Sequence, residues 1–188
     1  MKLITIGKMK NILMIGVLLF GTLLSGQELK YEEVVTVDST ATKDELYNRA
    51  RNWIGSNFNK KTSSVEVEDK VLGEISASGI IEYRNKKSYF GSGCVEGPIR
   101  LTLSIYLKDG KYKYSFHTFD HQGSGGYGCR KTDYGIITTA EKAPKPTWGE
   151  PNEKAWNDLK DVIDMNVQLN IKDLKEAMNK KHETSNDW

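Results

Sequence analysis

The sequence predicts an α+β domain: an antiparallel sheet of about five or six strands with two helices packed on one face. Three observations carry this. A capped amphipathic segment lies near the start of the domain, a two-residue hairpin turn lies at its centre, and a long apolar stripe of helical period lies at its end. The chain has 188 residues, and the part after its leader, about 160 residues, suits a single domain.

The leader comes first. Lys2, Lys8 and Lys10 precede an apolar run from Ile12 to Leu24, and Ser25 and Gly26 are small. This is the layout of a secretory signal with cleavage before Gln27. The run has 13 residues, short of the roughly 20 that span a bilayer. Leu24-Ser25-Gly26-Gln27 matches a lipoprotein box in three of four places, but the fourth must be cysteine, so no lipid anchor is expected. The expected organisation is a signal peptide over 1–26, one α+β domain over 27–180 and a polar tail over 181–188. The expected destination is export, to a periplasm or beyond. No stable membrane anchor is expected after cleavage.

Removing the three leader lysines from 27 basic residues leaves 24 against 25 acids, a formal charge of −1. A nucleic-acid binder carries a basic domain or stripe; this domain has none, so no nucleic-acid partner is expected.

The elements then follow in order. Tyr31 to Val37 is rich in β-branched residues and reads as a strand. Thr42-Lys43-Asp44-Glu45 is a capping box, opening a helix over 42–57 with Leu46, Ala50, Trp53, Ile54 and Phe58 on one stripe. Ser64 to Glu68 alternates strictly and reads as a half-buried strand, with Asp69-Lys70 as its turn. Val71 to Ser78 and Gly79 to Tyr83 read as further strand, with bulges or close approaches expected at Gly73 and Gly79.

Asp109-Gly110 is a hairpin turn that fixes a register. Leu107 faces Tyr112, Ile105 faces Tyr114 and Leu103 faces Phe116 on the apolar side. Tyr106 faces Lys113 and Thr102 faces His117 on the other. Carried further, the count sets Ile99 opposite Asp120. Residues 121–151 are rich in Gly and Pro, with Ile136 to Thr139 as one further edge strand. The final helix, from about Asn152 to Lys180, shows Trp156, Leu159, Ile163, Val167, Ile171, Leu174 and Met178 on one stripe. Its length leads us to expect last turns that hang free or meet a partner.

The order of elements resembles a known family. Tyr31-Glu32-Glu33-Val34-Val35-Thr36-Val37-Asp38, Thr42-Lys43-Asp44-Glu45-Leu46-Tyr47 with Arg49-Ala50 and Trp53, the segment Ile105 to Tyr114, and Trp156 carry the likeness. It is to domain-of-unknown-function family 4468, of TBP-like fold, common in exported proteins of Bacteroidetes. The resemblance implies a curved antiparallel sheet with helices against one face. It implies no activity, and a fold name is no evidence of DNA binding.

Four constellations of residues could carry chemistry. Cys94 and Cys129 are the only cysteines. With Ile99 opposite Asp120 they leave the same end of the hairpin, and export favours oxidation, so a disulfide is expected; the alternative is two thiols that never pair. His117, Asp120, His121, Cys94 and Cys129 are zinc-type ligands, but His117 and His121 are four apart in a strand, about 13 Å, on one face. No metal or other cofactor is therefore expected; its alternative ligand set would be His117, His121 and Cys129, needing a bend at Asp120. Cys94 with a histidine is the pair a cysteine-dependent envelope enzyme would use, although no nucleophile elbow or phosphate-cradling loop is present. Finally, Tyr83, Tyr89, Phe90, Tyr106, Phe119 and Tyr127 fall on the outer face or in loops. Tyr106, Phe119, His117 and Tyr127 form the candidate ligand surface, unless the 121–151 segment folds back over it.

The expected function is a non-enzymatic binding or interaction module of the cell envelope, for an unidentified ligand or envelope protein. The alternatives are an assembly module docking through the long helix or a sheet edge, and the cysteine-dependent enzyme.

Overall fold

A computed structural model describes residues 26–58, 64–85, 92–125, 131–144 and 153–180. The expected leader lies outside these residues apart from Gly26, as do the polar tail, Tyr89, Phe90, Tyr127 and Cys129.

Six strands and two α-helices occur among the described residues. They run β1 (Tyr31–Thr36), α1 (Lys43–Ser56), β2 (Ser64–Asp69), β3 (Glu74–Tyr83), β4 (Gly97–Lys108), β5 (Lys111–His121), β6 (Gly135–Ile136) and α2 (Glu153–Asn179). The strands form one curved antiparallel sheet in the order β1-β5-β4-β3-β2, with β6 also paired to β5. Both helices sit on the same face: α1 packs on β3 and β4, and α2 packs on β3 and α1. The α+β expectation holds.

The central hairpin sets the core. Leu107 pairs with Tyr112, Ile105 with Tyr114 and Leu103 with Phe116, and all six side chains are buried beneath the helices. Alternation places every second residue of β3 beside them, through Ile75, Ala77, Ile81 and Tyr83. Tyr83, read from sequence as an outer aromatic, is instead fully buried, and its hydroxyl lies 3.0 Å from Asp158 of α2.

The turn of this hairpin also serves α1. Gly110 takes φ +70°, a conformation that costs glycine nothing. The turn then lies against the start of α1, where Asp109 Oδ1 accepts from the Lys43 amide at 2.7 Å. Thr42 Oγ1 accepts from the Glu45 amide at 3.2 Å. Two of the helix's orphan donors are thus satisfied, one from the expected cap and one from a residue 66 positions away. The Glu45 carboxylate pairs with Arg49. Thr42→Ala is expected to destabilise the domain by about 1 kcal/mol, read as a lower urea midpoint at unchanged slope.

Gly73 is a close approach as expected, since a Cβ there would lie 2.7 Å from the Leu107 carbonyl oxygen, whereas Gly79 forms no bulge. Gly73, at φ +70°, belongs to the turn before β3, and β3 is one unbroken strand in which Gly79 pairs regularly with Leu101. The irregularities lie elsewhere, one between Val65 and Val67 of β2 and one between Arg100 and Thr102 of β4. The first sits on an outer strand that also carries Glu66, Glu68 and Asp69, and a bulge with charges discourages edge pairing.

The expectation that the last turns of α2 hang free is corrected. Leu174 and Met178 are fully buried, Arg49 of α1 donates to the Met178 carbonyl, and Lys175 reaches Glu33 of β1 at 2.7 Å. The helix is about 40 Å long, and α1 and β1 cover its far end. The docking surface that the assembly alternative needed at this helix end is occupied by the chain itself.

The Ile136–Thr139 run forms the expected edge structure as β6 and a bridge between Thr138 and Glu28. Leu29 donates to the Ile137 carbonyl and Thr139 to the Gln27 carbonyl, at 2.9 and 2.8 Å. The first residues after the expected cleavage point are thereby stitched to the sheet.

Candidate functional site: a serine-floored groove

One face of the sheet carries the helices and the other carries neither. The residues of that open face line up in rows across the strands. Ser78, Thr102 and His117 make one row. Ser76, Ser104, Ser115 and Glu32 make the next, and Glu74, Tyr106, Lys113 and Val34 the third. Serine is the shortest polar side chain a strand can present, so the middle row forms a trough between taller neighbours. Ser76, Ser104 and Ser115 are only 8%, 6% and 4% exposed, although among the described residues no helix or strand lies over them.

The trough is a cavity of about 390 Å³ lined by Glu28, Lys30, Glu32, Ser104, Tyr106, Lys113, Ser115 and His117. Its volume falls in the lower part of the range usual for small-ligand sites, about 300–1,000 Å³. Among the described residues, none of the lining comes from the 121–151 segment. The described part of that segment packs at the sheet's end, where Tyr134 and Ile137 enter the core.

Several polar groups around the trough are bonded to neighbours, and one buried group is not. His117 lies 3.1 Å from Ser104 Oγ through Nε2 and 2.8 Å from Thr118 Oγ1 through Nδ1. Burial lowers its pKa, so the ring is neutral at pH 7. Glu32 accepts from Lys30 at 2.6 Å and from Lys113 at 2.9 Å. The two lysine bonds hold its carboxyl down to about 2. The exception is Ser115: its hydroxyl is buried and has no hydrogen-bond partner among the described residues. Such a group costs about 1–3 kcal/mol when left unsatisfied.

The expected ligand surface is partly realised. Tyr106 and His117 both line the groove, and Tyr106 is 43% exposed. Phe119 is not on this surface: it is fully buried in the core and meets Tyr31 edge-on at 5.9 Å. The cause is a bulge. Thr118 and Phe119 together oppose the single residue Leu101, so Arg100 pairs with Asp120 and Ile99 with His121. Thr118 takes φ +54°, which is strained for a β-branched residue. Every side chain after the bulge changes face. Tyr127 lies outside the described residues.

The same bulge corrects the histidine and cysteine readings. His117 and His121 do not share a face: His117 edges the groove, whereas His121 is fully buried on the helix side. The ligand set His117, His121 and Cys129 is thereby separated, and no group of three or more His, Cys, Asp or Glu side chains is placed to hold a metal among the described residues. His121 has structural bonds instead. Its Nε2 lies 2.8 Å from the Val95 carbonyl and its Nδ1 accepts from the Tyr134 amide at 3.2 Å.

The register premise of the Cys94–Cys129 cross-link fails by one residue, since Ile99 opposes His121 and not Asp120. Cys94 ends a short 3-10 helix at Ser92–Cys94. It is disulfide-bonded, and no free cysteine occurs among the described residues; Cys129, the other half of the predicted pair, lies outside them. The cysteine-dependent enzyme reading therefore has no thiolate at Cys94.

Sequence reasoning missed Ser76, Ser104, Ser115, Glu28, Lys30, Glu32 and Lys113. The signal was available for the hairpin pair, because the Asp109-Gly110 register sets Ser104 opposite Ser115 on the face away from the apolar stripe.

Comparison with known proteins agrees with this architecture. A TBP-like protein from Parabacteroides distasonis, known from its crystal structure, superposes with a TM-score of 0.59 at 17% identity, over 80% of this chain and 92% of that one. A DUF4468 family protein from Bacteroides ovatus gives 0.58 at 14% identity, over 83% and 89%. At such identities the likeness is one of fold. No curated protein matches the chain. No helix among the described residues is long and apolar enough to cross a membrane. Over residues 31–122 the chain matches the family described as "Domain of unknown function (DUF4468) with TBP-like fold".

Proposed function

We propose that this chain is an exported binding module of the cell envelope that holds its ligand in the groove on the open sheet face. The observation that carries the reading is the buried, unpartnered Ser115 hydroxyl at the floor of a cavity beside an exposed tyrosine. A half-exposed aromatic ring beside convergent polar groups is what a small-ligand site ordinarily presents. The leader-like N-terminus supports the export half, together with Gln27 to Leu29 lying against Ile137 to Thr139 directly after the expected cut.

The test uses the protein as its host exports it. Intact mass is expected to place the N-terminus at Gln27. Amide signals of Ser104, Ser115 and His117 are expected to shift when the labelled protein meets a soluble envelope extract, and to stay still in Tyr106→Ala. Retention of Met1 would sink the export half. Unmoved groove signals in the wild type would sink the binding half.

A further inference from the structure

Resting on that reading, we infer that the groove binds a neutral carbohydrate, with Tyr106 as the platform for a sugar ring and Ser115 as an anchor for a sugar hydroxyl. Three features of the site argue for this class. The first is charge. Glu28 and Glu32 face Lys30 and Lys113, so the formal charges of the described lining residues cancel, and Glu32 is already bonded to both lysines. Phosphate-rich or acidic ligands are drawn by an excess of positive charge, which is not found here.

The second feature is the hydroxyl floor. A sugar hydroxyl is both donor and acceptor, and so is a serine hydroxyl; the two match without any charged group having to lose its water. Ser115 is 4% exposed with no partner, and Ser104 lies directly opposite it on β4. An incoming hydroxyl that reached Ser115 would satisfy a group the fold leaves unsatisfied.

The third feature is Tyr106, an exposed ring at the edge of the trough, paired across the strands with Lys113. Sugar rings expose apolar C–H faces that lie against aromatic rings, while their rims stay polar. An extended peptide is a poorer fit. Peptides gain affinity from a sheet by adding a strand at an edge, whereas this groove opens on a face whose β4 and β5 backbones are already paired on both sides.

The experiment is a glycan array carrying neutral hexose and N-acetylhexosamine oligomers beside sulfated and uronic-acid oligomers. A peptide-display selection runs in parallel on the same protein. Wild type is expected to bind a subset of the neutral oligomers. Titration of the strongest of these should show affinity falling about tenfold or more in Tyr106→Ala and about threefold to tenfold in Ser115→Ala. Ser115→Ala carries a second readout of opposite sign. Removing an unpartnered buried hydroxyl should raise the Tm of the sugar-free protein by about 2–4 °C, which a merely structural serine would not do. Binding confined to the charged oligomers, or selection only of peptides whose capture needs Tyr106, would overturn the carbohydrate assignment while leaving a ligand on this face. Failure of every probe would overturn both.

Discussion

Phe119→Ala should destabilise the domain by about 3–5 kcal/mol, the range for removing a fully buried phenylalanine. The side chain is 0% exposed and packs edge-on against Tyr31. Alternation counted from the Asp109-Gly110 turn gives a different answer. By that count Phe119 falls on the same face as Tyr106 and His117, and its loss would shift stability by about 0.5 kcal/mol or less, as for an ordinary surface site. The two outcomes differ several-fold. Urea unfolding followed by tryptophan fluorescence separates them, because Trp53 and Trp156 are both buried. A large loss of midpoint with an unchanged slope places Phe119 in the core and confirms the bulge at Thr118. A near-neutral result would return Phe119 to the open face and undo the separation of His117 from His121. Thr118→Gly sharpens the test: at φ +54° glycine relieves the strain of a β-branched residue while removing the hydroxyl that meets His117, so this variant should keep the register and change stability far less than Phe119→Ala.

Where the sequence was legible, local chemistry and the global fold asked for the same thing. The Asp109-Gly110 turn and its apolar pairs gave the correct register from Lys108–Lys111 through Thr102–His117. Thr42 capped α1 as read, and the whole stripe of α2 from Trp156 to Met178 is buried. Legibility stopped at Thr118. No glycine, proline or asparagine marks that position, and a bulge built on a β-branched residue leaves no mark in the hydrophobic pattern. Its consequence is nonlocal, because one inserted residue flips Phe119 and His121 together.

The site was half legible for a different reason. Tyr106 and His117 are conspicuous residue types on a face read correctly, so they were found. Ser76, Ser104 and Ser115 are unremarkable in sequence, and their meaning comes from alignment across three strands. Only the β4–β5 pairing could be counted from a turn. The β3–β4 pairing that brings Ser76 beside Ser104 spans a connection of 13 residues, 84–96, with no register signal of its own. The free end expected for α2 was a comparable error. Helix length was read correctly, but α1 and β1 lay alongside to cover it, and that depends on packing which pattern alone does not specify.

His121→Ala should cost about 3–5 kcal/mol, and it should also remove a pH dependence that the wild type shows. The imidazole is fully buried between Tyr83, which it meets edge-on at 6.1 Å, and Tyr134, tilted against it at 5.3 Å. Its two nitrogens join segments that no strand pairing connects. Since a carbonyl can only accept, Nε2 carries the proton and donates to Val95; since the Tyr134 amide can only donate, Nδ1 is the acceptor. Truncation empties the ring's space and orphans both backbone groups, which together reach the stated range. Protonation damages the same arrangement, because a proton on Nδ1 points at the Tyr134 N–H. Burial accordingly lowers the His121 pKa below its ordinary 6.5, and the Val95 bond offsets this only in part. In the window below 6.5 the unfolded chain therefore binds a proton that the folded chain refuses, and stability falls as pH falls through that window until the folded pKa is reached. His117, lowered by burial as well, adds a share of the same sign. The comparison is therefore best made in a His117→Gln background, with urea midpoints at pH 7.5, 6.5 and 5.5. With His121 present the midpoint should drop across this series. In the His121→Ala variant the midpoint should start lower and stay level. An equal slope in both would mean that His121 is charged inside the fold, and the bond from the Tyr134 amide to Nδ1 could not then exist.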